Sequence, residues 1–458
     1  MRRIRTRLGV LGAALLTAAP LALSAPSATA ATTGTAGAAG AAGATGTAAP
    51  TAARQPAAGT PTAEEQRLTQ PVPQEILRRS GFAGVAGTFA DGLARVESYG
   101  AAKRYVTDAG RTLWRRAVDR VQGRGPQGGD LSRDDDRPLY WARLGMTKAL
   151  REWKPDFRLS DGRRDTLLAA LERGSRGQDS IDLPGGRRPG TRVLRAVVTG
   201  FDPFQLDADA RRSNPSGAAA LALDGTTVRT SSGRLARIET AVFPVRWADF
   251  AADTVERTLL PSFRRGPHQV DLFTTISQGR PGRFDLERIN GAWRGGYPDN
   301  ARESRTGTVP VPKGVPTVRP QPQWTTTTLP YAQLTAAPTG PFPVRDNTAV
   351  TEIPAGGTVP VDRPDGPTPG SAARAGGGGD YLSNEIGYRA TLLRDALRLT
   401  VPGGHLHTPV LQFGAGNTDP VTGTVTDPDF VRNRNAITGQ VRNILTAALS
   451  VAPGMMGK

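Results

Sequence analysis

The chain has 458 residues, with 58 lysines and arginines against 41 aspartates and glutamates, a formal charge of +17. It contains no cysteine, which excludes disulfides, thiolate nucleophiles and thiolate metal sites. Three histidines, His268, His405 and His407, argue against a multi-histidine metal centre. Arginine supplies 53 of the 58 cations, amid heavy Ala, Gly and Pro usage. The excess therefore reads as a chain-wide basic surface. Such a surface suits weak contact with polyanions or an envelope rather than a specific nucleic-acid site.

In chain order, Arg2, Arg3, Arg5 and Arg7 precede an apolar run from Leu8 to Leu23, and Ala28-Thr29-Ala30 follows. A charged start, a short apolar centre and an A-x-A ending describe a secretory signal peptide over residues 1–30. The mature chain is then expected to start near Ala31, to work outside the cytoplasm and to have no membrane span. Residues 31–63 are an Ala/Gly/Thr/Pro-rich tether with nothing to bury. From 64 to 181, Ile76, Leu77, Phe82, Val85, Phe89 and Leu93 recur at helical steps, as do Leu113, Trp114, Ala117 and Val121. Their aromatics read as core, and the role of this all-α region stays open.

From about residue 190 the texture changes. Val193 to Thr199, Ile238 to Val245 and Val270 to Ile276 are short β-branched runs. Ser216 to Leu223 and Trp247 to Leu260 read as helices between them. The alternation predicts an α/β domain with a largely parallel sheet, with its site in the loops after Gly200 and Ile276. Stretches 301–327 and 335–375, rich in Pro, Thr and Gly, read as surface excursions. Asn384 to Leu399 and Phe430 to Leu449 are the last predicted helices.

Several short motifs then fall in order. They are Thr199-Gly200-Phe201-Asp202-Pro203-Phe204, Asn214-Pro215-Ser216, Phe243-Pro244-Val245, Gly282-Arg283 and Leu286-Glu287-Arg288-Ile289. Tyr297-Pro298-Asp299-Asn300, Thr328-Leu329-Pro330, Gly379-Asp380-Tyr381-Leu382-Ser383-Asn384 and His407-Thr408-Pro409 complete the set. Together they resemble the type I pyroglutamyl peptidase (pyrrolidone-carboxylate peptidase) family over residues 190–458. The resemblance implies a three-layer α/β/α domain and removal of N-terminal pyroglutamate, or a related cyclic amide, from peptides. It implies Glu287 and His407 as catalytic partners, Phe201 and Phe204 flanking the lactam ring, and Arg283 beside the oxyanion region. Ser383 stands where that family has its nucleophilic cysteine. Gln205-Leu206 replaces a double glycine, and Arg294-Gly295 an acidic-arginine pair.

Amide cleavage needs a nucleophile, a base, an orienter for the base and donors for the oxyanion. Ser383 at a helix start, His407 and Glu287 supply the first three, with His405 as fallback base. A serine at a helix start also serves as a plain cap, and a half-buried histidine as a satisfied core imidazole. The function therefore divides between a Ser-His-Glu hydrolase and a catalytically inactive binding module of the same fold. A third reading places the function in the helical region and basic surface. No cofactor is implied, because no glycine-rich phosphate loop follows a strand at the required spacing.

Overall fold

In the computed structural model the described residues are 60–185 and 193–452, all within one compact unit of residues 50–458. The signal-like segment 1–30 and the tether up to residue 59 lie outside them. Among the described residues no helix is long and apolar enough to cross a membrane, and no cluster of His, Asp and Glu could hold a metal.

The N-terminal region is helical. It comprises α1 (Ala63–Gln66), α2 (Pro71–Ser80), α3 (Val85–Leu93), α4 (Tyr99–Val121), α5 (Arg137–Glu152) and α6 (Asp161–Gly174). The periodic apolar residues read from the sequence, Ile76, Phe82, Phe89, Leu113, Trp114 and Ala117 among them, form its core. That core does not stop at the domain boundary. It continues into Leu206, Ala220, Leu221 and Val242 of the following domain.

The α/β part runs β1 (Leu194–Phe201), α7 (Pro215–Leu223), β2 (Thr226–Arg229), β3 (Leu235–Phe243), α8 (Trp247–Ala251), α9 (Thr254–Phe263) and β4 (Leu272–Gln278). The predicted helix at 247–260 is thus two helices. Asp253 sits at φ 63°, and this left-handed residue breaks the run. Next come β5 (Phe284–Glu287), β6 (Ile289–Gly291), β7 (Trp293–Gly295), β8 (Thr306–Thr308), β9 (Trp324–Thr326) and α10 (Tyr331–Ala336). Then follow β10 (Val344–Asn347), β11 (Val350–Ile353), β12 (Val361–Arg363), β13 (Ala372–Ala375), α11 (Leu382–Ala396), β14 (Gly403–Thr408) and α12 (Pro428–Val451). The Pro/Thr/Gly-rich stretches therefore carry strands rather than bare loop.

The central sheet has seven strands in the order β10-β5-β14-β4-β1-β3-β2. Its middle, β14-β4-β1-β3, is parallel, while β5 runs antiparallel to β14 and β10 follows β5. Every residue of β1 is buried, as expected of a strand covered on both faces. Alternation along it divides two cores. Leu194, Ala196 and Val198 pack with α7 and α12, whereas Val197 and Phe201 pack with α8, α9 and α11. The result is the three-layer α/β/α arrangement expected from the resemblance and from the alternating strand and helix pattern.

Candidate active site

The site grows out of strand register. β14 places His405 opposite Glu287 and His407 opposite Asp285 on antiparallel β5. On its other side it places His405 beside Thr275 and His407 beside Ser277 of β4. Side chains alternate, so all these polar groups share one face, while Leu406 and Leu286 turn to the opposite core. The diagonal neighbours on such a ladder lie within reach of long side chains. Accordingly His407 Nδ1 meets Glu287 Oε1 at 2.7 Å, with both side chains almost fully buried. Glu287 Oε2 in turn accepts from Asn347 Nδ2 at 2.6 Å.

His405 is no base. Its Nδ1 is 2.8 Å from the Thr275 hydroxyl and its Nε2 is 2.8 Å from that of Ser277. It is completely buried, and burial together with His407 holds its pKa well below the usual range. The ring stays neutral and stands edge-on to His407, with centroids 4.8 Å apart. The fallback role read from the sequence is therefore closed to it.

Ser383 is the second residue of α11, after Tyr381 as cap without a side-chain cap bond. Its backbone N–H lies in the unsatisfied first turn, at the positive end of a 15-residue helix. The hydroxyl donates to the Gly378 carbonyl at 3.0 Å. That carbonyl belongs to the run Gly376–Gly379, which threads between α11 and the dyad. A methyl group on Gly378 would stand 3.3 Å from both His407 Cε1 and Asn384 N, and one on Gly377 would collide with Glu287 Oε2. Only glycine lets the loop lie this close to both. The helix start is pinned by Asn384, which accepts from Gly291 N at 2.9 Å and donates to Gly291 O at 2.8 Å. Arg294, the departure from the resembled motif, forks onto Glu385 of the same turn at 2.5 Å.

Beside Ser383 lies a cavity of about 60 Å³ lined by Phe201, Phe204, Val245, Gln278 and Tyr381. The two phenylalanines are thus gathered at the serine. Arg283, one-third exposed, pairs at 3.0 Å with Asp285, the residue opposite His407 on β5, and does not line this cavity. His268 bonds the Leu183 carbonyl at 2.5 Å, far along the chain from the dyad.

The loop carrying Phe201 and Phe204 is fastened from the helical region. Between them, Asp202 Oδ2 accepts from Arg176 Nε at 3.0 Å and Nη2 at 2.7 Å, and from Arg143 Nη2 at 3.1 Å. Glu172 receives Arg143 at 3.1 Å and Arg246 at 2.9 Å, and also Arg176. Burial opposes the charge of Glu172, but the three guanidiniums hold its pKa well below the carboxylate range. Asp136 at the start of α5 accepts from Asn214 N at 3.0 Å and from the Ser213 hydroxyl. Asn300 donates to the Pro203 carbonyl at 2.8 Å. Sequence reasoning missed Asn347, Asp202, Arg143 and Arg176. Asp202 stood in a quoted motif, but its partners lie in a region without motifs.

A model described as the PA0049 N-terminal domain matches residues 43–172, and one described as the PA0049 C-terminal domain matches 195–320 and 341–412. The uncharacterised protein PA0049 of Pseudomonas aeruginosa is 35% identical over 488 aligned positions, covering 83% of this chain and 88% of that protein. Among solved structures, a mutant pyrrolidone carboxyl peptidase from Pyrococcus furiosus is 19% identical, with a TM-score of 0.36. It covers 56% of this chain and 98% of its own. Pyroglutamyl peptidase I of Bacillus amyloliquefaciens is 16% identical with a TM-score of 0.37, covering 57% and 100%.

Proposed function

The chain belongs to the PA0049 family, and within it we propose that this member is an exported amide hydrolase that removes N-terminal pyroglutamate, or a related small cyclic amide, from peptides. The observation that carries the reading is the convergence on Gly378. Its carbonyl holds the Ser383 hydroxyl, and its Cα faces the imidazole that Glu287 orients.

In this reading His407 Nδ1 donates to Glu287, which leaves Nε2 as the acceptor. Ser383 turns by one rotamer step, roughly 120°, and releases Gly378. Its Oγ attacks the lactam-bearing carbonyl carbon while its proton passes to His407 Nε2. The oxyanion forms against the free N–H groups at the start of α11. His407 then protonates the departing amine, and water attacks the acyl-serine by the same route to release pyroglutamate and regenerate Ser383. The cavity walled by Phe201 and Phe204 suits a flat lactam.

A second reading, a non-catalytic binding module, has one observation in its favour. The Ser383 hydroxyl donates to a backbone carbonyl rather than to His407. Hydrolysis of a fluorogenic pyroglutamyl amide by the mature protein separates the two. Turnover lost in Ser383→Ala and raised in Ser383→Cys, whose thiolate is the stronger nucleophile, supports the hydrolase. Binding of the amide without turnover supports the module. Export rests on residues 1–30, and N-terminal sequencing of protein recovered from culture medium tests it, with a start near Ala31 expected.

A further inference from the structure

Gln205 stands at φ 59°, in the left-handed region that favours glycine, where the resembled motif has one. A side chain kept at such a position points to a task for it. Gln205 has two partners. Its Nε2 donates to the Tyr297 hydroxyl at 3.2 Å, and its Oε1 accepts from Arg212 Nη1. Arg212 is thereby tethered in a half-buried position on the wall of a second cleft, of about 660 Å³. This cleft shares Phe204 and Gln278 with the small cavity at Ser383, so the two adjoin at these side chains.

The charges on the cleft wall single out Arg212. Asp209 is engaged at both oxygens by Arg211, at 3.0 and 2.9 Å, and Asp429 is paired with Arg432. Arg212, in contrast, meets no carboxylate among the described residues; its recorded partner is the neutral amide oxygen of Gln205. With Nη1 on Gln205, the Nε–Nη2 edge of the guanidinium is left on the cleft wall to match the planar geometry of a carboxylate.

We propose that Arg212, steadied by Gln205, is the anchor for a carboxylate on the leaving side of the substrate. The preferred substrates are then short acidic pyroglutamyl peptides, a statement that rests on the hydrolase reading above. The ring occupies the small cavity, the scissile bond lies at Ser383, and the released residues lie along the larger cleft toward Arg212. The carboxylate is either the free C-terminus of a dipeptide or an acidic side chain next to the scissile bond.

The experiment compares kcat/KM for pyroglutamyl-alanine, pyroglutamyl-alanine amide and pyroglutamyl-glutamate amide. A tenfold or greater preference for either carboxylate-bearing peptide over alanine amide is expected, and which one leads identifies the source of the carboxylate. In Arg212→Gln that preference falls toward unity, and Arg212→Lys recovers part of it. Gln205→Gly, which suits the backbone but frees Arg212, reduces it several-fold. Equal rates for all three peptides, or a preference unchanged in Arg212→Gln, overturn the proposal while leaving the hydrolase reading standing. If no pyroglutamyl amide is turned over at all, the hydrolase reading fails by itself. Calorimetric binding of pyroglutamyl-alanine against its amide then decides the anchor, with a tighter acid supporting it and equal affinities overturning it.

Discussion

His407 Nδ1 and Glu287 Oε1 stand 2.7 Å apart although 120 residues separate them in the chain. The far oxygen of the same carboxylate is taken by Asn347. In Glu287→Gln, Asn347 would claim the amide oxygen, so the amide NH₂ would face Nδ1 and select the wrong tautomer. Turnover of a pyroglutamyl amide is expected to fall by about 10²-fold or more with little change in KM. An unchanged kcat would remove Glu287 from the mechanism.

Gly377→Ala tests the closeness of the glycine loop to the dyad. The added methyl group would occupy the space of Glu287 Oε2, so either the loop or the carboxylate must move. Loss of at least tenfold in kcat is expected. A variant with wild-type kinetics would show that the loop has slack at the carboxylate.

The buried cluster at Asp202 ties the helical region to the loop that walls the pocket. Arg176→Met leaves Asp202 with Arg143 alone and deprives Glu172 of a partner. Removing one member of a buried ion pair costs about 3–5 kcal/mol, which denaturant titration would read. In the fraction still folded, KM for the pyroglutamyl amide should rise more than kcat falls, because the loop bearing Phe201 and Phe204 is loosened. A loss of stability within experimental error would mean that the cluster does not hold the loop.

Stability should depend on pH in an unusual direction. Burial, with the Asp135 charge beside it, pushes Asp136 up to about 6. Burial also raises Asp299 to about 6 and Glu239 to about 7. In the unfolded chain these groups titrate near pH 4. Between there and pH 6–7 the folded state binds more protons than the unfolded one, so stability falls as pH rises through that window. Glu172, held low, contributes stability that is complete above the unfolded carboxylate range and lost only below it. Buried, neutral His405 pulls the other way below about pH 6.5, where the unfolded imidazole takes up a proton. Three raised carboxyls outweigh that one imidazole, so the denaturation midpoint is expected to be higher at pH 5 than at pH 8. Equal midpoints would contradict the protonation states assigned to Asp136, Asp299 and Glu239.

Strands β1, β3 and β4 and the pairing of Glu287 with His407 were legible, the strands from local signals and the pair from motifs that resemble a known family. Short β-branched runs, alternating residues and motifs a few residues long survive in one dimension. What the sequence hid is long-range and polar. Arg143 and Arg176 reach Asp202 from 59 and 26 residues away, and in an arginine-rich chain two more arginines draw no notice. Asn347 lay in a stretch whose Pro, Thr and Gly content reads as loop, yet four of its residues join the sheet. The break at Asp253 escaped notice because its neighbours keep helical spacing on both sides.

The strand that brings Asn347 to Glu287 is also the last one on its side of the sheet. β10 is only four residues long, and its middle pair, Arg345 and Asp346, is exposed. A short, charged border is a poor template for another chain to zip onto. The segment that orients the carboxylate thus also guards the protein against edge-to-edge self-association. Trimming it to a minimal domain would cost colloidal behaviour as well as the setting of Glu287.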